Sequence, residues 1–182
     1  NGAEIYRFTP VIGTENQSDG SWVVRTSKGD IKTQWVVNAA GLWGREVARL
    51  AGVELPLQPT EHQYFVTETI AQIDSMDRRL PSVADRDGEY YLRQEGKGLL
   101  VGAYERDLRF WAEGETPAGF GHELFEDDLE RIEENMMRAI ERVPAVGEAG
   151  IKRVINGPMI WSPDSNVLFG PVPELKNYFC CN

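Results

Sequence analysis

The stretch that decides the fold of this chain runs Val36-Val37-Asn38-Ala39-Ala40-Gly41-Leu42-Trp43-Gly44. Its apolar start predicts a buried strand, and the small side chains after it predict a turn that leads into a helix. Because Gly41 has no Cβ, a large group could approach the main chain at this turn. A nucleotide cofactor would suit such a turn. Close packing of a helix on a sheet needs the same small residues, so both interpretations stay open.

The composition limits the possible partners. The chain has 182 residues, of which 41% are hydrophobic and 26% charged, as in globular proteins that bury a core. No apolar run approaches the roughly 20 residues of a membrane helix, so we expect no membrane partner. The net charge of −10 disfavours nucleic acid, which needs a cationic face. The adjacent Cys180 and Cys181 predict neither a disulfide framework nor a metal site, and we expect a reducing compartment.

Strands and two helices are predicted along the chain. One helix is expected over Gly44–Ala51, ended by Gly52. A longer amphipathic helix is expected over Glu123–Val143, where apolar residues recur every three or four positions. Tyr90–Gln94 and Leu99–Gly102 predict a hairpin. Further strands are expected at Ile5–Phe8, Val11–Thr14, Trp22–Thr26, Ile31–Val37, Ile151–Ile160, Val167–Phe169 and Asn177–Cys181.

A histidine and a pair of tyrosines are the candidates for chemistry. His62 precedes Gln63 and Tyr64 at the start of an alternating strand, and an imidazole can exchange protons near neutral pH. Tyr90 and Tyr91 are adjacent, so one ring should face each side of the sheet. Packing roles are the alternative for all three. The sequence contains no G-x-S-x-G, P-loop or G-x-G-x-x-G motif, and its two histidines do not predict a zinc site.

The motifs of the chain, and the order in which they follow one another, resemble those of the FAD-dependent amine oxidoreductases of the D-amino-acid-oxidase superfamily. The dimethylglycine and sarcosine dehydrogenases are the most similar members. Each motif is short, but the ordered set covers nearly the whole chain. The residues that carry the resemblance are the turn at residues 36–43, Glu61-His62-Gln63-Tyr64, Glu89-Tyr90-Tyr91-Leu92-Arg93, Val101-Gly102-Ala103-Tyr104-Glu105, Asn156-Gly157-Pro158, Ser162-Pro163-Asp164 and Gly170-Pro171.

This resemblance implies where cofactor and substrate would bind. Val11 would lie on the strand whose backbone holds the adenine of FAD. His62 and Tyr90 would face the substrate near the flavin and act in catalysis. The FAD would also lie against four residues of the small-residue turn, namely Ala39, Ala40, Gly41 and Trp43.

The resemblance also implies an α/β fold and a division of the chain. Residues 1–58 would form part of the FAD-binding domain, and residues 150–182 would return to it. Residues 59–149 would form the substrate-binding domain, a mixed or antiparallel sheet with a long helix. The chain starts without Met and ends in a strand-like segment, so we expect an internal piece of a longer polypeptide. The family's G-x-G-x-x-G would lie upstream, and we expect this piece alone to bind FAD poorly and to be inactive.

The implied function of the whole protein is FAD-dependent oxidative demethylation of dimethylglycine or sarcosine by hydride transfer to flavin. Its further partners would be an electron-transfer flavoprotein and tetrahydrofolate, the latter bound by a C-terminal domain absent here. The whole protein would be located in the mitochondrial matrix or in the bacterial cytoplasm. Two alternatives remain open: a non-catalytic relative similar to the regulatory subunit of pyruvate dehydrogenase phosphatase, and an amino-acid oxidase that uses oxygen.

Overall fold

The computed structural model describes residues 2–182, which divide into two compact units. Unit 1 comprises the chain up to Pro59, residues 112–119 and residues 160–182, and unit 2 comprises residues 60–111 and 120–159. The chain returns to unit 1 at residue 160, later than the predicted border at residue 150. The reason is that most of the strand over Ile151–Trp161 belongs to the sheet of unit 2.

Residues 112–119 were not expected in unit 1, and a buried arginine explains their position. Arg45 is only 6% exposed. Its guanidinium donates hydrogen bonds to the carbonyl oxygens of Ala112 and Glu113, at 2.6 and 3.2 Å. Since a buried guanidinium needs partners for its N–H groups, these bonds fix the segment against the first helix of unit 1.

Unit 1 contains two three-stranded sheets around a small apolar core. The first sheet is an antiparallel meander, and in the second two strands run parallel. The rings of Trp22 and Tyr178 pack 5.4 Å apart in the core. The elements are β1 (Val11–Asn16), β2 (Trp22–Thr26) and β3 (Gly29–Thr33) in the first sheet, β4 (Val36–Asn38), β10 (Phe169–Pro171) and β11 (Tyr178–Cys181) in the second, and helix α1 (Gly44–Arg49).

Three strand predictions in this unit differ from the structure, and one of them, Val167–Phe169, is displaced to Phe169–Pro171. Ile5–Phe8 form no strand, and the side chains of Ile5 and Phe8 are 84% and 81% exposed. The single strand expected over Ile31–Val37 is split into β3 and β4, which belong to different sheets. By contrast, the predicted end of α1 is confirmed, since Gly52 follows it with a φ of +79°, a conformation that glycine adopts without strain.

Unit 2 is built on a five-stranded sheet with the order β6-β7-β8-β5-β9. The predicted hairpin is confirmed, with Tyr90 paired to Ala103 and Glu95 to Gly98. Helices pack on one face of the sheet around a core that includes Phe65, Leu92 and Val101. The elements are β5 (Gln58–Thr67), β6 (Val83–Asp85), β7 (Tyr90–Glu95), β8 (Gly98–Ala103), β9 (Ile151–Trp161), α2 (Ala71–Asp74), α3 (Glu133–Arg142) and α4 (Ala145–Glu148).

The long predicted helix is shorter than expected. Instead of starting at Glu123, helix α3 begins at Glu133 after a 3-10 turn over Glu130–Ile132. The N–H of Phe125 donates to the carbonyl oxygen of Asn156 at 2.8 Å, and the side-chain amide of Gln63 bonds both backbone groups of Asp128. These tertiary hydrogen bonds satisfy the backbone groups that a helix would otherwise use.

The observed fold is α/β with mostly antiparallel sheets, as the sequence predicted. Over residues 2–182, none of the helices has the length and apolar character required to span a membrane.

Candidate functional site

The sheet of unit 2 carries tyrosines on the face opposite to its apolar core. On the central strand β8, Gly102 pairs with Tyr64 of β5 on one side and with Tyr91 of β7 on the other. The ring of Tyr91 fills the space above Gly102, where a Cβ would come within 2.1 Å of the ring. Glycine at this position therefore allows an aromatic side chain to lie flat across the sheet.

A second aromatic pair continues this surface. The ring centroid of Tyr104 lies 5.5 Å from that of Tyr91 and 5.9 Å from that of His62. We call the surface formed by His62, Tyr64, Tyr91 and Tyr104 the tyrosine face. Tyr104 is 43% exposed, whereas the side chain of His62 is 13% exposed. The face is thus apolar in its rings but carries an imidazole and phenol hydroxyls, a combination suited to a small organic ligand.

The phenol of Tyr91 is a hydrogen-bond donor in this setting. Burial raises the pKa of Tyr91, and the neighbouring Tyr104 and Tyr64 act in the same direction. The group therefore keeps its proton at neutral pH and can donate to a carboxylate or an amine nitrogen.

His62 is held from behind by a buried carboxylate. Its Nδ1 lies 3.0 Å from Oε2 of Glu105, a residue that follows the end of β8. The other oxygen of Glu105 accepts the backbone N–H of Gln63 at 3.0 Å. A guanidinium nitrogen of Arg131 lies 3.9 Å from the same oxygen. The side chains of Glu105 and Arg131 are 1% and 2% exposed, so water does not reach this charge pair and weakens its attraction little.

Tyr90 lies elsewhere than the sequence predicted. Its side chain is 1% exposed and belongs to the apolar core on the helix side of the sheet. Burial raises the pKa of Tyr90, and the negative charge of the nearby Asp85 raises it further. Since successive side chains on a strand point to opposite faces, it is Tyr91 that shares a face with His62. Tyr90 therefore does not lie on the face of His62, as the predicted substrate site would require, and Tyr91 does.

The small-residue turn of unit 1 is organised by two asparagines. The buried Asn38 donates to the carbonyl oxygen of Gly44 at 2.7 Å and accepts the N–H of Ala40 at 3.2 Å. Asn182 accepts the N–H of Gly41 at 2.8 Å and donates to the carbonyl oxygen of Asn38. These bonds fix the turn without any large side chain at its tip.

The space beside this turn is open. Gly41 has a φ of +53°, and a Cβ placed on it would meet no atom within 4 Å. Ala39 is exposed, whereas Ala40 and Gly41 are half-buried. Trp43 is anchored by a hydrogen bond from its indole nitrogen to the carbonyl oxygen of Pro117, at 3.0 Å. The turn therefore has the small side chains and the free approach to the main chain that a flat cofactor requires.

The remaining predicted residue, Val11, is the first residue of β1 and is 39% exposed. The structure thus places Val11 and the turn in unit 1, and His62 and Tyr91 in unit 2. Among residues 2–182, no cluster of three or more His, Cys, Asp or Glu side chains could hold a metal ion.

Sequence reasoning missed Asn38, Asn182, Glu105 and Arg131. Glu105 is the last residue of the Val101-Gly102-Ala103-Tyr104-Glu105 motif, so the sequence could have singled it out. Its contact with His62 could not be predicted, because only the pairing of β5 with β8 brings the two residues together. Asn182 reaches the turn because β11 runs parallel to β4, which the sequence did not predict.

Comparison with known proteins places the chain among flavoenzymes. The family described as FAD dependent oxidoreductase, DAO, matches residues 1–182. The chain is 44% identical over 183 residues to the mitochondrial dimethylglycine dehydrogenase of Homo sapiens, covering 98% of the chain and 21% of that enzyme. It is 40% identical to the mitochondrial sarcosine dehydrogenase of Homo sapiens, covering 98% of the chain and 19% of that enzyme.

A solved structure with the same fold is the L-proline dehydrogenase of P. horikoshii. The TM-score is 0.71 and the identity 27%, over 99% of this chain and 45% of that protein. By comparison, the chain spans about a fifth of the length of the two human dehydrogenases. With a family match over its whole length, this chain belongs to the DAO family of FAD-dependent oxidoreductases.

Proposed function

We propose that the protein containing this chain oxidises an N-methyl group of a small amino acid, dimethylglycine or sarcosine, with FAD as its redox cofactor. The observation that carries the proposal is the tyrosine face, where His62, backed by Glu105, lies beside phenol hydroxyls. The similarity to the two human dehydrogenases supports the choice of substrate class. The comparisons do not favour the regulatory or the oxygen-using alternative.

Unit 1 would contribute to the FAD-binding domain in this proposal, and unit 2 would be the substrate-binding domain. The residues that would contact FAD are those of the open turn together with the backbone of β1 at Val11. When bound, FAD supplies the two-electron acceptor that the oxidation of a C–N bond needs. The open space at Gly41 supports this assignment, because the main chain there is free to approach a large planar group.

The chain's own residues would bind the amine and remove its proton. An N-methyl amine loses hydride readily only when its nitrogen carries a free lone pair, whereas free amines are mostly protonated near pH 7. The imidazole of His62 would accept the ammonium proton. The hydroxyl of Tyr91 would donate a hydrogen bond to the substrate carboxylate and hold the methyl group in a reactive position.

The proposal extends to a protein partner and to a compartment. A dehydrogenase passes electrons to a carrier, and we propose an electron-transfer flavoprotein in that role. Tetrahydrofolate, implied by the resemblance, is proposed as a further ligand of the whole protein. Both human relatives are mitochondrial by name. Cys180 and Cys181 are free thiols, in keeping with a reducing compartment such as the mitochondrial matrix or the bacterial cytoplasm.

Rapid-mixing measurements of flavin reduction test the function in the FAD-loaded protein that contains this chain. Dimethylglycine and sarcosine should reduce the flavin, whereas glycine, which has no N-methyl group, should not. His62→Gln should slow the reduction by about 10²-fold or more, because a positioned base is lost. His122→Gln is the matched control and should leave the rate unchanged. Equal rates for wild type and His62→Gln would reject the proposed role of His62.

A further inference from the structure

The carboxylate of Glu105 is buried behind the tyrosine face and has three neighbours. One oxygen lies 3.0 Å from Nδ1 of His62, and the other accepts the N–H of Gln63 and lies 3.9 Å from Arg131. The side chain of Glu105 is 1% exposed, and burying an ionised carboxylate costs folding free energy unless such groups compensate its charge. The surroundings of Glu105 therefore maintain an acceptor at Nδ1 of His62.

Arg131 supplies charge rather than hydrogen bonds to this group. Its Nη2 lies 3.4 Å from Oε2 of Glu61 and 3.9 Å from Oε1 of Glu105. Its Nε, Nη1 and Nη2 are buried and make no hydrogen bond with the described residues. The guanidinium thus faces two carboxylates at once, and only one of them, Glu105, also contacts His62. Glu61 instead accepts a hydrogen bond from the amide of Asn156 at 3.3 Å.

We propose that Glu105 is a positioning residue that selects the tautomer of His62. An ionised carboxylate only accepts hydrogen bonds, so Nδ1 must carry the hydrogen. A neutral imidazole has one N–H, and Nε2 is therefore left with a lone pair. The inference rests on the proposed function for its chemical consequence, because only a histidine that meets the substrate needs a defined acceptor atom.

The consequence is a direction for proton transfer. The N–H bond of the substrate ammonium breaks and an N–H bond forms at Nε2, while Nδ1 keeps its hydrogen bond to Glu105. The imidazolium that results is stabilised by the Glu105 carboxylate across 3.0 Å. This step is a proton transfer and involves no oxidation or reduction. The opposite tautomer would present an N–H donor to the ammonium, and the two donors would repel each other.

Nitrogen NMR of ¹⁵N-histidine-labelled protein containing this chain measures the tautomer directly, and His62→Gln assigns the His62 signals by difference. We expect neutral wild-type His62 to show a protonated Nδ1 and an unprotonated Nε2. Glu105→Gln should shift the population toward the Nε2–H form, because a glutamine amide can donate to Nδ1. Flavin reduction should slow by about tenfold to a hundredfold in the same variant.

Glu61→Gln is the matched control. It removes the other carboxylate that faces Arg131 and leaves the contact between His62 and Glu105 in place, so the tautomer should stay as in wild type. An Nε2–H tautomer in the wild-type protein would overturn the proposal whether or not Glu105→Gln folds. An unchanged tautomer in a folded Glu105→Gln variant would overturn it as well. If wild-type His62 has the expected tautomer but His62→Gln reduces flavin normally, the pairing with Glu105 holds and the proposed role of His62 as a base fails.

Discussion

The ring of Tyr91 lies over the α-carbon of Gly102 on the neighbouring strand, with its Cζ 2.1 Å from where a Cβ of residue 102 would be. Gly102 also pairs with Tyr64, so a single glycine makes room between two tyrosines. The arrangement places the hydroxyl of Tyr91 on the same surface as His62, through the shared neighbour Tyr104.

Gly102→Ala should displace the ring of Tyr91. A Cβ cannot occupy the same space as the ring, so either the side chain or the strand must move, and we expect a loss of about 1–3 kcal/mol in the free energy of unfolding. Chemical denaturation measures this loss. Gly119→Ala is the control, because a Cβ there meets no atom within 4 Å, and its stability should change little. Equal stability of both variants would contradict the packing of Tyr91 on Gly102.

The two adjacent tyrosines should respond differently to removal of the hydroxyl. Tyr91→Phe should slow flavin reduction by roughly 2- to 10-fold, since a hydrogen bond to substrate is worth about 0.5–1.5 kcal/mol. Tyr90→Phe should leave that rate unchanged. It should instead lower the stability by a similar free energy, because the buried Tyr90 hydroxyl loses its interaction with the nearby Asp85 carboxylate. A rate effect in Tyr90→Phe alone would restore the original prediction for that residue.

Gly41→Ala tests the open turn. The φ of +53° makes a side chain cost about 1–2 kcal/mol in the backbone. A Cβ also enters the space we assign to FAD, and FAD affinity should fall by at least about tenfold, or about 1.4 kcal/mol. Flavin titration of the apoprotein measures the affinity.

Gly52→Ala is the matched control for the turn. Gly52 also has a positive φ, +79°, and its Cβ would meet no atom, but it ends α1 away from the turn. It should show the backbone cost without the loss of FAD affinity. Similar affinities for both variants would argue against FAD at residues 39–41.

The acid side of the stability profile should depend on Asp85. Hydrogen bonding from the N–H of Gly88 holds the pKa of this carboxyl below its ordinary value, with Arg142 acting in the same direction. A carboxyl with a lowered pKa stabilises the folded state above its unfolded pKa, and this stability is lost as the pH falls through the folded pKa. Asp85→Asn should therefore be less stable than wild type at neutral pH. Its free energy of unfolding should depend less steeply on pH below about 4. Thermal unfolding at several pH values checks this, and an unchanged slope would contradict it.

Much of the local structure could be predicted because short-range signals decide it. The hairpin of β7 and β8 follows from two apolar runs around Gly96, which has a φ of +59°. The end of α1 follows from Gly52. Helix α3 was misjudged at its start, since the periodicity of Phe125 and Leu129 is helical. Phe125 packs against Trp111 with ring centroids 5.4 Å apart, a contact that joins distant parts of the chain and that no local pattern contains.

The sequence by itself determined the family, the β-rich α/β class and the expectation that two adjacent tyrosines face opposite sides of a sheet. Only the tertiary structure decided that Tyr91, and not Tyr90, shares the face of His62 and that Glu105 contacts the imidazole. The physical reason is that alternation along a strand defines two faces but not which one the helices cover. That choice, and the contact between His62 and Glu105, depend on strand pairing and on core packing between residues far apart in the sequence.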